Sequence, residues 1–402
     1  MKTYIQLAAI VMAMNGLLFS GACSAGEDGI PLLSPMAKMS LLTASPGPEL
    51  YSVFGHSALW VYDPINGIDE VYNWGTFDFN TPNFYPLFIR GRLLYMLTVS
   101  PLNRFLYSYR LEGRSVDEQV LMLNADEQQR IYNYLQINRR PENIHYLYDF
   151  FYDNCATRVR DLVDRELDLD WGPDPFPSGR RSFRSMLHPY VEHIPWAAFG
   201  IDILLGLPAD GAITPWHYMY LPDEMALAFS QARHADGRPL VMETRPLLPL
   251  IHQHGKPSPV TPSRVLWLLL IAGLLIQFKQ RWAAIFDKVF YTVLGLTGLL
   301  LTFLWLLSDH QSMAYNLNLL WAMPTHLYFI FRVKMMHPAA GISTNINRVA
   351  TIYFRMVFFI ALGIMLLWPL IPQAYNSAFF PVAGLVALTA WKYTNFRLRR
   401  NS

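Results

Sequence analysis

Five apolar runs fill the last third of this 402-residue chain, at 265–278, 289–307, 317–331, 352–371 and 378–391. A helix needs about 20 mostly apolar residues to cross the hydrocarbon core of a bilayer. The second and fourth runs reach that length, and the other three need flanking residues or a re-entrant path. So dense a series predicts an α-helical transmembrane bundle. The whole chain, 52% hydrophobic and 15% charged, is then too apolar for a wholly soluble protein and too charged for a wholly embedded one.

Charge divides the chain at the same place. Twelve of the 32 Lys and Arg but only two of the 30 Asp and Glu lie beyond Pro262, leaving 20 basic against 28 acidic residues before it. An acidic front part offers no electrostatic footprint for nucleic acid. Lys279, Arg281 and Lys288 follow the first run, Arg332, Lys334 and Arg348 the third, and Lys392, Arg397, Arg399 and Arg400 the fifth. Arg355 lies just inside the fourth, and the loops after the second and fourth carry Asp309 alone. Cytoplasmic loops collect Lys and Arg. Five spans in the bacterial inner membrane are expected, with the C-terminus cytoplasmic and the front part periplasmic.

Residues 1–25 agree with that orientation. Lys2, an apolar stretch at 5–19 and the small residues Ser20 to Ala25 read as a signal peptide. Retention as an anchor and lipidation at Cys23 are the alternatives. Residues 26–258 then form an exported domain, long enough for a core of its own, and 259–402 the transmembrane domain.

The front part reads as α+β. An apolar, aromatic stretch at 54–62, the turn residues Asp63, Pro64, Asn66 and Gly67, and a second stretch at 70–75 predict a hairpin. Helical patterning follows, with a polar stretch from Ser115 and a helix capped by Asn124, periodic through Ile131, Leu135 and Ile137 and ended by Pro141. Residues 171–177 read as a rigid loop. The apolar segment 199–206 contains Asp202, which argues against a simple span. Pro246, Pro249, Pro257, Pro259 and Pro262 mark a linker.

Only two cysteines occur, and Cys23 lies in the export signal. Its removal leaves Cys155 without a partner in an oxidising compartment, so Cys155 is either a small buried hydrophobe or a thiol held for chemistry. Asp153 and Asn154 are helix N-cap types, and the residues after Cys155 suit a helix. A thiol in a first helical turn is pushed toward its thiolate by the helix dipole. Such a nucleophile needs a base and a group that orients the base. His56 on the first strand of the hairpin can serve as base. Asn73 on the adjacent strand can hold its ring, with Asp78 as rival. His310 beside Asp309, with Asn316 and Asn318 beyond, forms a second polar group at the outer end of the second apolar run, either lining a substrate path or standing in a solvated loop. Arg158 either positions a headgroup or pairs with a neighbouring acid. Asn154 and Asp78 complete the candidate substrate contacts. No set of histidines has the spacing of a metal site.

Phe54-Gly55-His56-Ser57-Ala58-Leu59, Tyr72-Asn73-Trp74-Gly75-Thr76-Phe77-Asp78-Phe79 and the run from Tyr148 through Asp153-Asn154-Cys155-Ala156-Thr157-Arg158 resemble three signature blocks of a Bacteroidota family of exported domains. That family, formerly a domain of unknown function, is associated with lipoprotein N-acyltransferase activity. Residues 199–207, Ser308-Asp309-His310 and the stretch from Asn316 to Trp321 are similar to further family segments, although Gln311 stands where the family often has Pro. The resemblance implies a permuted papain-like fold, of the group that includes the lecithin retinol acyltransferase relatives, in which a strand histidine precedes an Asn-Cys at a helix start. It implies that Cys155 attacks a phospholipid ester with His56 moving the proton. The acyl chain would rest on sulfur and pass to the N-terminal cysteine amine of a diacylated lipoprotein. Phospholipid, lipoprotein and the bilayer are the implied partners, with no cofactor. An exported cysteine hydrolase acting on peptidoglycan peptides or phospholipid, and a non-catalytic membrane assembly protein, are the competing readings.

Overall fold

A computed structural model describes residues 29–174, 181–251, 258–332 and 344–394. The expected signal segment and Lys334, Arg397, Arg399 and Arg400 lie outside these residues, as do residues 175–177 of the loop at 171–177. The front part is built on strands β1 (Lys38–Ala44), β2 (His56–Asp63), β3 (Ile68–Thr76), β4 (Leu94–Ser100), β5 (Val116–Leu121) and β6 (His145–Leu147). A two-residue pair follows, β7 (Leu169–Asp170) with β8 (Arg233–His234), and then β9 (Val241–Leu248). Seven of these form one antiparallel sheet in the order β6-β4-β3-β2-β1-β5-β9.

The central strands are apolar on both faces because both faces are covered. Successive strand side chains point to opposite sides. Leu41, Leu59 and Val61 therefore join one cluster, and Leu42, Ala58 and Trp60 another. Helices α1 (Phe84–Ile89) and α2 (Leu102–Glu112) follow β3 and β4, and α3 (Ala125–Asn138) and α4 (Cys155–Glu166) follow β5 and β6. Ile131 and Leu135 of α3 and Val159 and Val163 of α4 pack in the first cluster. Phe105 and Tyr109 of α2 close the second.

Two elements differ from their sequence readings. The stretch from Ser115 is the strand β5, and its polar Glu118 is wholly buried, hydrogen-bonded by Ser40 and neutralised by Lys38 and Arg245. Pro246 lies within β9, paired with Asp117, where an edge strand tolerates the missing N–H; the linker begins later.

Helices α5 (Phe183–Val191), α6 (Pro195–Leu204) and α7 (Pro222–Gln231) complete the front part. The bundle holds α8 (Pro262–Ile276), α9 (Gln280–Leu307), α10 (His326–Arg332), α11 (Thr344–Leu366) and α12 (Phe379–Trp391). Among the described residues two stretches, Arg281–Leu307 and Arg348–Leu366, are long and apolar enough to cross a membrane. The apolar run at 317–331 is not one helix. It is a 3-10 turn (Leu317–Leu320), a loop through Pro324, and α10. Its backbone wedges against α9 where Gly295 and Gly298 leave room: a Cβ on Gly298 would stand 2.0 Å from the Ala322 carbonyl oxygen.

Candidate active site

The first turn of α4 is fixed by a capping box. The Asn154 side chain accepts the N–H groups of Ala156 (2.8 Å) and Thr157 (2.9 Å), and Thr157 Oγ1 accepts the Asn154 N–H (2.8 Å). The Asn154 amide donates in turn to the carbonyls of Phe150 (2.8 Å) and Tyr220 (2.9 Å). All its hydrogen-bonding capacity is engaged and it is buried, which makes Asn154 the cap that aims Cys155 and leaves nothing for a substrate. Cys155, the first residue of α4, is half-buried and unpaired.

His56 opens β2 and lies beside the thiol, each group shifting the titration of the other. Its Nε2 lies 2.6 Å from Asn73 Oδ1. An amide oxygen only accepts, so Nε2 carries a hydrogen, and Nδ1 is the nitrogen left for the sulfur. The β2–β3 register pairs Leu59 with Tyr72. Continued by three residues, it brings Gly75 opposite His56 and makes Asn73 its diagonal neighbour. Gly75 has φ +94°, and a Cβ there would lie 3.8 Å from Cys155 Cβ and 3.9 Å from His56 Cε1. The two side chains therefore meet over a bare glycine.

Electrostatics shift the pair toward its charged form. Burial pushes the Cys155 thiol up, but the His56 charge, its hydrogen bond and the N–H groups of Ser57 and Ala156 outweigh burial and hold the thiol below its ordinary range. Burial likewise pulls His56 down, and the thiolate and the Asn73 contact raise it above its usual value. A thiolate beside an imidazolium is a nucleophile with its proton carrier in place. Tyr109 stacks on the His56 ring with centroids 6.4 Å apart.

The other candidates are elsewhere or engaged. Asp78 is exposed and closes a turn with Asn80, away from His56. Arg158 forks onto Asp153, with Nη2 at 2.7 Å, and lies 3.9 Å over the Tyr146 ring. His310 Nε2 donates to the Phe88 carbonyl at 3.0 Å. Asn316 and Asn318 are buried, and their amides donate to the carbonyls of residues 202–204 at the end of α6. Gly75 and the Ser57 N–H were not found from sequence. The glycine in Asn-Trp-Gly-Thr, at the end of a predicted strand, was the available signal. Among the described residues no three His, Cys, Asp or Glu side chains gather as metal ligands.

Fold and site together define a class: a sheet-rich domain with a Cys–His–Asn arrangement, joined to a helical region containing two helices able to cross a membrane. The family comparison is more specific. Residues 35–175 match the Lnb N-terminal periplasmic domain and residues 254–401 match the Lnb transmembrane domain. The chain belongs to the Lnb family, whose two domains in one chain mark a lipoprotein-processing membrane protein with its front domain in the periplasm. Comparison with curated proteins and with solved structures returned no match.

Proposed function

We propose that this protein is a lipoprotein N-acyltransferase that carries the acyl chain on Cys155. The observation that bears most weight is the arrangement at the start of α4, in which the Cys155 and His56 side chains meet over Gly75 and His56 is held by Asn73 at 2.6 Å. The Cys155 thiolate attacks the carbonyl carbon of a phospholipid ester. The C–O bond breaks, the lysophospholipid oxygen takes the proton from His56, and a thioester remains. The amine of a lipoprotein N-terminal cysteine then attacks that carbonyl, His56 accepts its proton, and the C–S bond breaks to leave an amide and a free thiolate. The Cys155 N–H, in the first helical turn where no i−4 carbonyl is available, is the first oxyanion donor. We read the sheet with its capped helix as a permuted papain-like domain. It would span about residues 26–258, with residues 259–402 forming five membrane elements.

Topology supports the same reading. Asp309, His310, Asn316 and Asn376 contact the front part, and Lys279, Arg281, Lys288, Arg332 and Lys392 cluster at the opposite helix ends. This arrangement supports a reading with a periplasmic thiol and a cytoplasmic C-terminus. Both substrates are lipid-anchored, which is why the domain stays on the membrane.

The test uses the full chain in phospholipid vesicles with a diacylated lipopeptide. Intact mass is expected to reveal a long-chain acyl adduct on Cys155 and a triacylated peptide, both absent in Cys155→Ala. Fatty acid release without peptide acylation would replace the transferase with a phospholipase, and normal triacylation by Cys155→Ala would end the proposal.

A further inference from the structure

A second set of aromatic side chains stands outside the Cys155 site and serves no core. No residue of α1 is buried. Phe79, Tyr85, Phe88 and Ile89 are 69%, 70%, 50% and 41% exposed. Scattered exposed apolar residues are ordinary, but a contiguous patch needs a partner. This one is contiguous, since the Phe84 ring lies 5.0 Å from Phe79 and stacks on Phe88 at 6.2 Å.

What lies beside the patch identifies the partner. The Asp309 N–H donates to the Arg90 carbonyl at 2.9 Å, His310 Nε2 to the Phe88 carbonyl at 3.0 Å, and Arg92 Nε to Asp309 at 2.7 Å. Gly91 lets the His310 ring approach so closely that a Cβ would stand 3.3 Å from it. Asp309 and His310 directly follow α9, whose last residues Leu306 and Leu307 are 66% and 62% exposed. The loop is thus stitched to the outer end of a helix able to cross a bilayer. Aromatic rings with Arg at their rim are the side chains that settle at the headgroup level of a membrane.

We infer that the segment 77–92 is a lipid-contacting foot, with Phe79, Tyr85 and Phe88 seated in the outer headgroup layer of a phospholipid bilayer. The occupant is lipid because the patch continues the exposed end of α9. The foot also connects to the thiol. Phe77 lies 5.2 Å from Tyr95, and Tyr95 stacks at 4.3 Å on Tyr148, a neighbour of Cys155. It holds Cys155 at a fixed height over the lipid ester bonds, a consequence that rests on the acyltransferase reading, whereas the lipid contact itself does not.

The test places an environment-sensitive fluorophore on Phe88→Cys in a Cys155→Ala background of the full chain, reconstituted in phosphatidylglycerol-containing vesicles. The parent variant, labelled alike, corrects for Cys23. Ile65→Cys, in the turn at the far end of the β2–β3 hairpin, is the comparison site, and Tyr85→Cys is a second foot position should Phe88→Cys fail to fold. The foot label is expected to be quenched several-fold more by phospholipids bearing a nitroxide near the headgroup than by those bearing it deep in the chain. It should also be protected from aqueous iodide, with the Ile65 label showing the reverse. Iodide access equal to that of the Ile65 label would overturn the inference. Protection from iodide without nitroxide quenching would overturn it too, since a protein would then cover the patch. The readout is independent of acyl transfer, so its failure leaves the proposed chemistry standing.

Discussion

Two polar clusters in this molecule use the same residue types to opposite ends. At the junction with the membrane bundle, Asp202 is wholly enclosed and receives Arg184 Nη1 (3.0 Å), His188 Nε2 (3.0 Å) and the Asn376 amide (2.8 Å). Arg184 reaches further to Asp210 and the Leu205 carbonyl. Asn316, Asn318 and Gln373 close the remaining backbone carbonyls of the α6 end. Its donors and acceptors are matched among themselves, as buried polar groups require. At the Cys155 site, by contrast, His56 spends one ring nitrogen on Asn73 and keeps the other for the thiol, and the site remains half-exposed. Saturation marks the first cluster as a weld. The second keeps a ring nitrogen turned to a thiol, and it is there that we propose the chemistry.

Each replacement that tests this contrast should move one observable and spare the other. Cys155→Ala is expected to lower acyl transfer by about 10³-fold or more, measured by peptide mass, with an unchanged thermal midpoint. Asp202→Ala is expected to do the reverse. It strands the wholly buried Arg184 with one acid fewer, a change that costs about 3–5 kcal/mol. The readouts are a lowered thermal midpoint in detergent and new protease cleavage around α6. A stable Asp202→Ala protein with no transfer would erase the distinction between the clusters.

Asn73→Ala should act on chemistry without unfolding the domain. Misdirecting the His56 ring is expected to reduce turnover by up to about 100-fold. The pH profile carries the more specific signature. The Asn73 contact raises the His56 pKa, so its loss lowers it, and the imidazolium is given up at lower pH. The alkaline limb of acyl transfer is therefore expected to move toward acid, while the acid limb, set by the Cys155 thiol, stays. A profile that moves as a whole would remove Asn73 from its positioning role.

What could be read from the chain follows the range of each interaction. The hairpin at 54–75, the Asn124 cap and the Asn154–Cys155 helix start were legible because strand alternation, turns and caps are local signals. Strand β5 was not. Its Glu118 looks solvent-facing until Lys38, Ser40 and Arg245 arrive from distant positions. β1 and β9 are not legible in the sequence for a related reason, since a strand is defined by its neighbours. The run at 317–331 was open between a lengthened span and a re-entrant path, and it takes a broken path through Pro324 with its backbone close against Gly295 and Gly298 of α9. In the site, His56 and Cys155 were legible from residue type and order. The saturated state of Asn154, Asn316 and Asn318 was invisible, because side-chain hydrogen bonds to remote carbonyls leave no sequence pattern.

His310 gives the smallest and sharpest test. It was a candidate for the substrate path, yet its Nε2 is bound to the Phe88 carbonyl and its ring packs against Gly91. By the saturation criterion it is a stitch between α1 and the end of α9. His310→Gln, which can keep a donor there, is expected to behave as the parent. His310→Ala should lose one partly exposed hydrogen bond, on the order of 1 kcal/mol, seen as a small drop in thermal midpoint. Turnover with a lipopeptide and a detergent-dispersed phospholipid should stay within a few-fold of the parent, because nothing at Cys155 has moved. If His310→Ala instead abolished transfer with its thermal midpoint intact, a hydrogen-bonded residue would be acting chemically. Saturation would then no longer separate the two clusters.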